Sequence, residues 1–170
     1  MNYPYPSQEV DNTMPLQSWD VLSLSIGYMV KRHMQESTYL INLGNEQGWD
    51  FSSDLLDEIK HNTHKAIVLT DTEQTIVWVN NNFINLTGYP SSELLGRNPK
   101  FLQGKKQNQP AANKIRKDLS KAKPTTQNVI NYRKSGDAYL CCVKIYPLFN
   151  KQQELVNYIA FEDEINPDAA

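Results

Sequence analysis

The strongest constraint on what this chain can fold into is a change of pattern at Ala66. From there two short β runs, Ala66–Thr70 and Ile76–Asn80, are joined by Asp71-Thr72-Glu73-Gln74, a turn-rich hairpin link. Helical signals follow over Asn81–Thr87, Ser91–Leu95 and Ala111–Lys121. Three more strands are predicted at Thr126–Arg133, Ala138–Tyr146 and Glu154–Phe161, divided by turns at Ser135-Gly136-Asp137 and Asn150–Gln153. Two strands, a run of short helices and three antiparallel strands make an α+β domain on one sheet.

The segment before it, Trp19 to Leu43, reads two ways. Leu22, Leu24, Ile26 and Tyr28 alternate with Ser23, Ser25 and Gly27, which is strand spacing. Trp19, Leu22, Ile26, Met29 and Val30 also fit one helical stripe, and a strand running on through residues 31–42 would be too long, so length decides for helix. A second short helix is predicted from Ser53 as N-cap, with Leu55, Leu56 and Ile59 as its apolar face and acidic residues in its first turn. The chain thus divides into a lead-in over 1–17, read as disordered from Pro4, Pro6 and Pro15 among polar residues. A helical extension over 18–62, the α+β domain over 64–165 and a tail over 166–170 follow.

With 170 residues and 39% apolar content the chain suits one domain with a core. Its net charge of -2 sets up no field for nucleic acid or an anionic membrane. Lys114-Ile115-Arg116-Lys117 and Lys121-Ala122-Lys123 alternate basic and apolar positions, the pattern of a solvated helix face. No apolar run reaches the roughly 18 residues of a membrane span. Cys141 and Cys142 point to opposite faces of a strand and cannot readily pair, so neither a disulfide nor a thiolate metal site is expected, and a cytoplasmic location follows. His33, His61 and His64 lie outside the predicted α+β domain or at its edge, and no serine or cysteine has an evident base partner. A non-enzymatic role is expected.

From Ala66 to Glu162 the chain resembles a PAS domain of the light-oxygen-voltage type. The resemblance rests on Ile76-Val77-Trp78-Val79-Asn80, Asn82-Phe83 and Leu86-Thr87-Gly88-Tyr89. It rests further on Gly96-Arg97-Asn98-Pro99-Lys100-Phe101-Leu102-Gln103-Gly104 and on Asn131-Tyr132-Arg133-Lys134-Ser135-Gly136. It implies a PAS fold: a five-stranded antiparallel sheet with short helices on one face, here with an N-terminal helical extension. In that family the enclosed pocket holds flavin mononucleotide (FMN), and blue light joins a cysteine sulfur to the flavin ring.

Carried over residue by residue, the resemblance gives a partial site. The reactive cysteine falls on Pro99, which has no sulfur and no ionisable proton, so this chain is expected to lack the adduct. Asn98, Gln103, Arg116 and Asn131 match flavin contacts in kind, and Lys100 replaces a phosphate-binding arginine with a single point charge. Each has a plainer reading: Asn98 as a cap before Pro99, Gln103 serving loop carbonyls, Arg116 as a solvated helix residue. Cys141 stands where the family has an asparagine on the flavin's pyrimidine edge, and a small buried apolar side chain is its plainer role. Glu162 replaces a glutamine facing the flavin ring. An ionised carboxylate only accepts hydrogen bonds, so it would disfavour oxidised flavin and favour reduced flavin, whose ring carries an extra N–H. Beside Asp163 and Glu164 it also reads as part of an acidic strand end. Two outcomes stay open: a pocket holding FMN as a redox or light sensor without adduct, and a scaffold whose pocket is empty or filled by side chains.

Strand alternation puts Ile159 and Phe161, with Leu140, Cys142 and Tyr146, on the face away from the pocket. That outer face is too apolar for water and needs a cover. The helix carrying Trp19, Leu22, Ile26 and Met29 is expected to dock on it or to form a dimer seam. A homodimer or a signalling partner is therefore expected at the N-terminal helix and outer sheet face. The chain ends soon after its last strand, so output is expected through the N-terminal helices, an altered dimer or a separate protein.

Overall fold

The computed structural model describes residues 18–61, 65–104 and 109–166, and for Ser18–Leu22, Met29, His33 and Gln109 the backbone alone. The lead-in over 1–17 lies outside the described residues. Helix α1 spans Ser18–Gln47, so length did decide correctly between helix and strand. It ends at Gly48, whose φ of +71° turns the chain into a two-residue strand, β1 (Trp49–Asp50). Gly44 is required for a different reason: a Cβ there would sit 2.1 Å from the Phe51 ring. Helix α2 (Ser53–His61) follows, with Leu55 and Ile59 buried. Its cap is Ser52, one residue earlier than predicted, whose Oγ accepts from the Leu55 N–H at 3.3 Å.

The domain proper runs β2 (Ala66–Asp71), β3 (Ile76–Val79), α3 (Asn81–Thr87) and α4 (Ser91–Leu94). A 3₁₀ turn over Pro99–Leu102 and α5 (Gln109–Leu119) lead into β4 (Thr125–Tyr132), β5 (Ala138–Asn150) and β6 (Leu155–Glu164). All pairings are antiparallel, in the order β1-β5-β6-β2-β3, with β4 on the same side of β5 as β1. The five expected strands are present and β1 makes a sixth. The two longest strands outrun their predicted ends. Strand β5 continues through Pro147, on a stretch between its last pair with β4 at Ile145 and its first with β1 at Phe149, where a missing N–H costs no ladder bond on that side. Strand β6 continues past Phe161 because Glu162, Asp163 and Glu164 pair with Val143, Cys142 and Cys141.

The sheet separates two cores. Against its inner face pack Phe83, Leu94, Leu102 and Ala111 from the short helices, over Val68, Val129, Cys141 and Val143. Against its outer face, Leu40, Trp49, Leu55 and Ile59 cover Ile67, Leu69, Trp78, Ile159 and Phe161. The expected cover therefore exists, made by the C-terminal half of α1 together with β1 and α2. Ile26, expected to dock, is 48% exposed, while Leu40 is fully buried; the side chains of Trp19, Leu22 and Met29 lie outside the described set. The reason is position along the helix, because the sheet reaches only as far as the turns after Glu36, whose Oε1 accepts from the Asn81 N–H at 3.0 Å. Glu58 of α2 fastens the cover further, meeting Lys65 at 3.0 Å and Lys144 at 2.7 Å.

Candidate functional site

A cavity of about 330 Å³ lies between the inner sheet face and the segment from Asn98 through α5. That is within the range of small-molecule and cofactor pockets, at its lower end. Its walls are apolar, from Val68, Leu102, Ile115, Leu119, Val129, Val143, Ile145 and Ala160, and its polar lining divides into two groups.

Exposed cations lie on one side. The Asn98 Oδ1 accepts from the Lys100 N–H at 3.1 Å, capping the 3₁₀ turn that begins with Pro99, where a proline needs no N–H partner. Asn98, Pro99 and Lys100 all line the cavity, so the capping reading and the lining reading of Asn98 hold together. From α5 Arg116 adds a second exposed cation to the lining, its Nη1 donating to Asn113 Oδ1 at 3.3 Å. Gln103, just after the turn, lines it too.

Buried polar groups lie on the sheet. Asn131 of β4 is 3% exposed. Tyr139, directly opposite on β5, is equally enclosed, and its hydroxyl interacts with the Asn131 side chain. Burial, and then the Glu162 carboxyl, push the Tyr139 phenol far above its ordinary range. The Arg133 guanidinium lies 4.4 Å from the Tyr139 ring centroid and forms a salt bridge with Glu164 at 2.6 Å.

Glu162 completes this end. It is 5% exposed and lines the cavity, whereas Glu164 is exposed, so the acidic-strand-end reading does not describe it. Its Oε2 accepts from the Cys141 thiol at 3.6 Å. With no cation beside it among the described residues, burial pushes its carboxyl up to about 7. Cys141 itself is fully buried in the inner core and is not among the cavity-lining residues, which corrects its assignment as a direct contact. Burial, and then Glu162, hold its thiol far above the ordinary range, so no thiolate is available.

Six of the seven expected site residues are thus brought together around one cavity: Asn98, Lys100, Gln103, Arg116, Asn131 and Glu162. Thr70, Gln74 and Tyr158 also line it, and nothing in their local sequence singled them out. Tyr139, opposite Asn131, belongs to the inner core behind the lining. Among the described residues no group of three His, Cys, Asp or Glu side chains could hold a metal, and no helix is long and apolar enough to cross a membrane. The residues present suit a flavin in kind. Two exposed cations, Lys100 and Arg116, would suit a phosphate, and the apolar walls would suit a planar ring.

A curled antiparallel sheet cupping short helices around a cavity defines the class as a PAS-type ligand-cavity domain. The family model described as PAS domain matches residues 64–166, and the chain belongs to that family. It is 33% identical over 110 residues to phototropin-2 of Oryza sativa subsp. japonica, covering 61% of this chain and 12% of the relative. It is 33% identical over 101 residues to blue-light-activated histidine kinase 1 of Erythrobacter litoralis, covering 58% of this chain and 28% of the relative. The chain therefore spans only a small part of these relatives. Among solved structures, a light-oxygen-voltage domain studied with a flavin analogue superposes with a TM-score of 0.62 at 32% identity, over 69% of this chain and 88% of that one. The dark structure of the Aureochrome1 light-oxygen-voltage domain gives 0.64 at 29% identity, over 70% and 88%.

Proposed function

We propose that this chain is a non-enzymatic sensory module of the light-oxygen-voltage type. It holds FMN without a cysteinyl bond and passes the state of its cavity on through protein contacts. The observation that carries this reading is a cavity of about 330 Å³ whose apolar walls carry two cations, Lys100 and Arg116, together with the buried amide of Asn131. A scaffold with a side-chain-filled pocket is the competing reading, and about 330 Å³ of open space speaks against it.

When bound, the flavin would supply a planar ring that absorbs blue light and exchanges electrons. The chain's own residues set what that ring can do. Arg116 and Lys100 are placed to hold a phosphate, and Asn131 to accept from a ring N–H. Pro99 offers no sulfur, and Cys141 is buried behind the wall with its thiol protonated. Both support a cavity that works without the covalent step. Glu162, when neutral, donates as well as accepts, as an amide in its place would; when ionised it only accepts. Occupancy is therefore expected to be more favourable below about pH 7 for a ligand presenting acceptors there.

Replacing Asn131 with Leu tests the reading. FMN affinity, measured by quenching of flavin fluorescence, should fall about tenfold or more, while circular dichroism of the flavin-free protein stays that of the folded domain. Unchanged affinity would remove the support for this site.

A further inference from the structure

Glu162 is a buried acid on the wall of a cavity, where a glutamine of nearly the same shape would avoid burying a charge. On β6 it stands in register with Val143 of β5 and Ala66 of β2, both apolar. The Cys141 thiol donates to its Oε2 at 3.6 Å, a long contact from a weak donor. A carboxylate has about four lone-pair sites, so most of its accepting capacity is left for whatever enters the cavity. An acid held in this way in a cleft marks a functional position.

Its complement is chemically narrow. The two oxygens of an ionised carboxylate lie side by side and only accept, so two adjacent N–H donors on one rigid edge match them best. A cationic ligand would also supply donors, but Lys100 and Arg116 in the same lining would repel it and call for an anion instead. Between the acid and the cations, Val68, Leu102 and Val129 offer apolar walls to a flat body. The cavity thus asks for a donor edge, a planar ring system and an anionic tail.

We propose that this cavity, with Glu162 ionised, binds a phosphorylated compound carrying a fused 2-amino-4-oxopyrimidine edge, the edge that pterins and guanine share. The exocyclic amine and the neighbouring ring N–H donate to the two Glu162 oxygens, and Lys100 and Arg116 hold the phosphate. Adenine is rejected, because a ring acceptor stands beside its amine and would face the carboxylate. The inference rests on reading the cavity as a ligand site, and not on FMN as its occupant. Of the groups around Glu162, Cys141 and Tyr139 are held neutral by burial and by Glu162 itself, and Glu164 is paired with Arg133 at 2.6 Å. Between about pH 5.5 and about pH 7.5, Glu162 is therefore the group whose charge changes.

Titrations of the full chain, without flavin, test the proposal through the fluorescence of neopterin and its monophosphate, with GMP and AMP as competitors. Wild-type protein should bind neopterin monophosphate, GMP should displace it, and AMP should not. Unphosphorylated neopterin should bind about tenfold more tightly near pH 7.5 than near pH 5.5, as Glu162 ionises. Glu162→Gln should weaken both phosphorylated ligands about ten- to a hundredfold at the higher pH and abolish that pH trend, with circular dichroism unchanged. Joint replacement of Lys100 and Arg116 by Ala should bring neopterin monophosphate down to the affinity of neopterin. Tighter binding of GMP assigns the site to a purine and tighter binding of neopterin monophosphate to a pteridine, and either supports the proposal. Binding of neither, equal displacement by AMP, or affinities indifferent to Glu162→Gln would overturn it. FMN is titrated separately, so a chain that binds FMN but neither of these ligands overturns this inference alone, and a chain that binds them but not FMN supports it while removing FMN as the occupant.

Discussion

Glu162 is a buried carboxyl group that no cation among the described residues answers, and its consequences can be measured without any ligand. Its native form binds its proton more tightly than the unfolded chain does, over a window from about 4.5 to about 7. Raising the pH through that window should therefore lower stability, with the full penalty, up to about 3 kcal/mol, present above it. Glu162→Gln should equal the wild type in denaturant melts near pH 5 and exceed it near pH 8. Equal stability at both values would mean that Glu162 is not the buried acid described. Glu162 was legible in the sequence as a departure from its family, but its burial was not. Three acidic residues in a row gave a local signal for a strand end, and only the pairing of β6 with β5 shows that the strand continues and turns this one inward.

At the scale of elements, the two-strand, short-helix, three-strand order was readable because turn residues and strand periodicity coincide there. What could not be read was which part of α1 meets the sheet. A single apolar stripe runs along the helix, and the stripe alone does not say where the sheet stops. Leu40, fully buried between α1 and the outer sheet face, is the residue to test. Leu40→Ala should cost about 2–5 kcal/mol, while Leu24→Ala should cost little, each read from urea midpoints. Removing residues 1–64 should expose Ile67, Leu69, Ile159 and Phe161 and leave the remaining domain aggregated. A soluble domain of undiminished stability would contradict the role given to α1 and α2 as cover. Glu58, shared by Lys65 and Lys144, ties that cover to strands whose neighbouring residues line the cavity. Burial alone would raise its carboxyl, but the hydrogen bonds from Lys144 and Lys65 outweigh this and hold it below the ordinary value.

For the molecule as a whole, the sheet is a partition with a ligand-sized cavity on one face and two helices on the other. Val143 and Ile145 of β5 face the cavity, while Lys144 between them reaches Glu58 of α2 on the far side. A change in what fills the cavity thus has a short physical route to the helices. Whether that content is FMN, held without a covalent bond, decides the account. The direct measurement is an absorption spectrum of the purified chain mixed with FMN and freed of excess, before and during blue illumination. The account predicts retained flavin bands that can be bleached by reduction and restored by air, with FMN released intact on denaturation. No retained flavin, or a flavin that stays attached to the denatured protein after illumination, would contradict it.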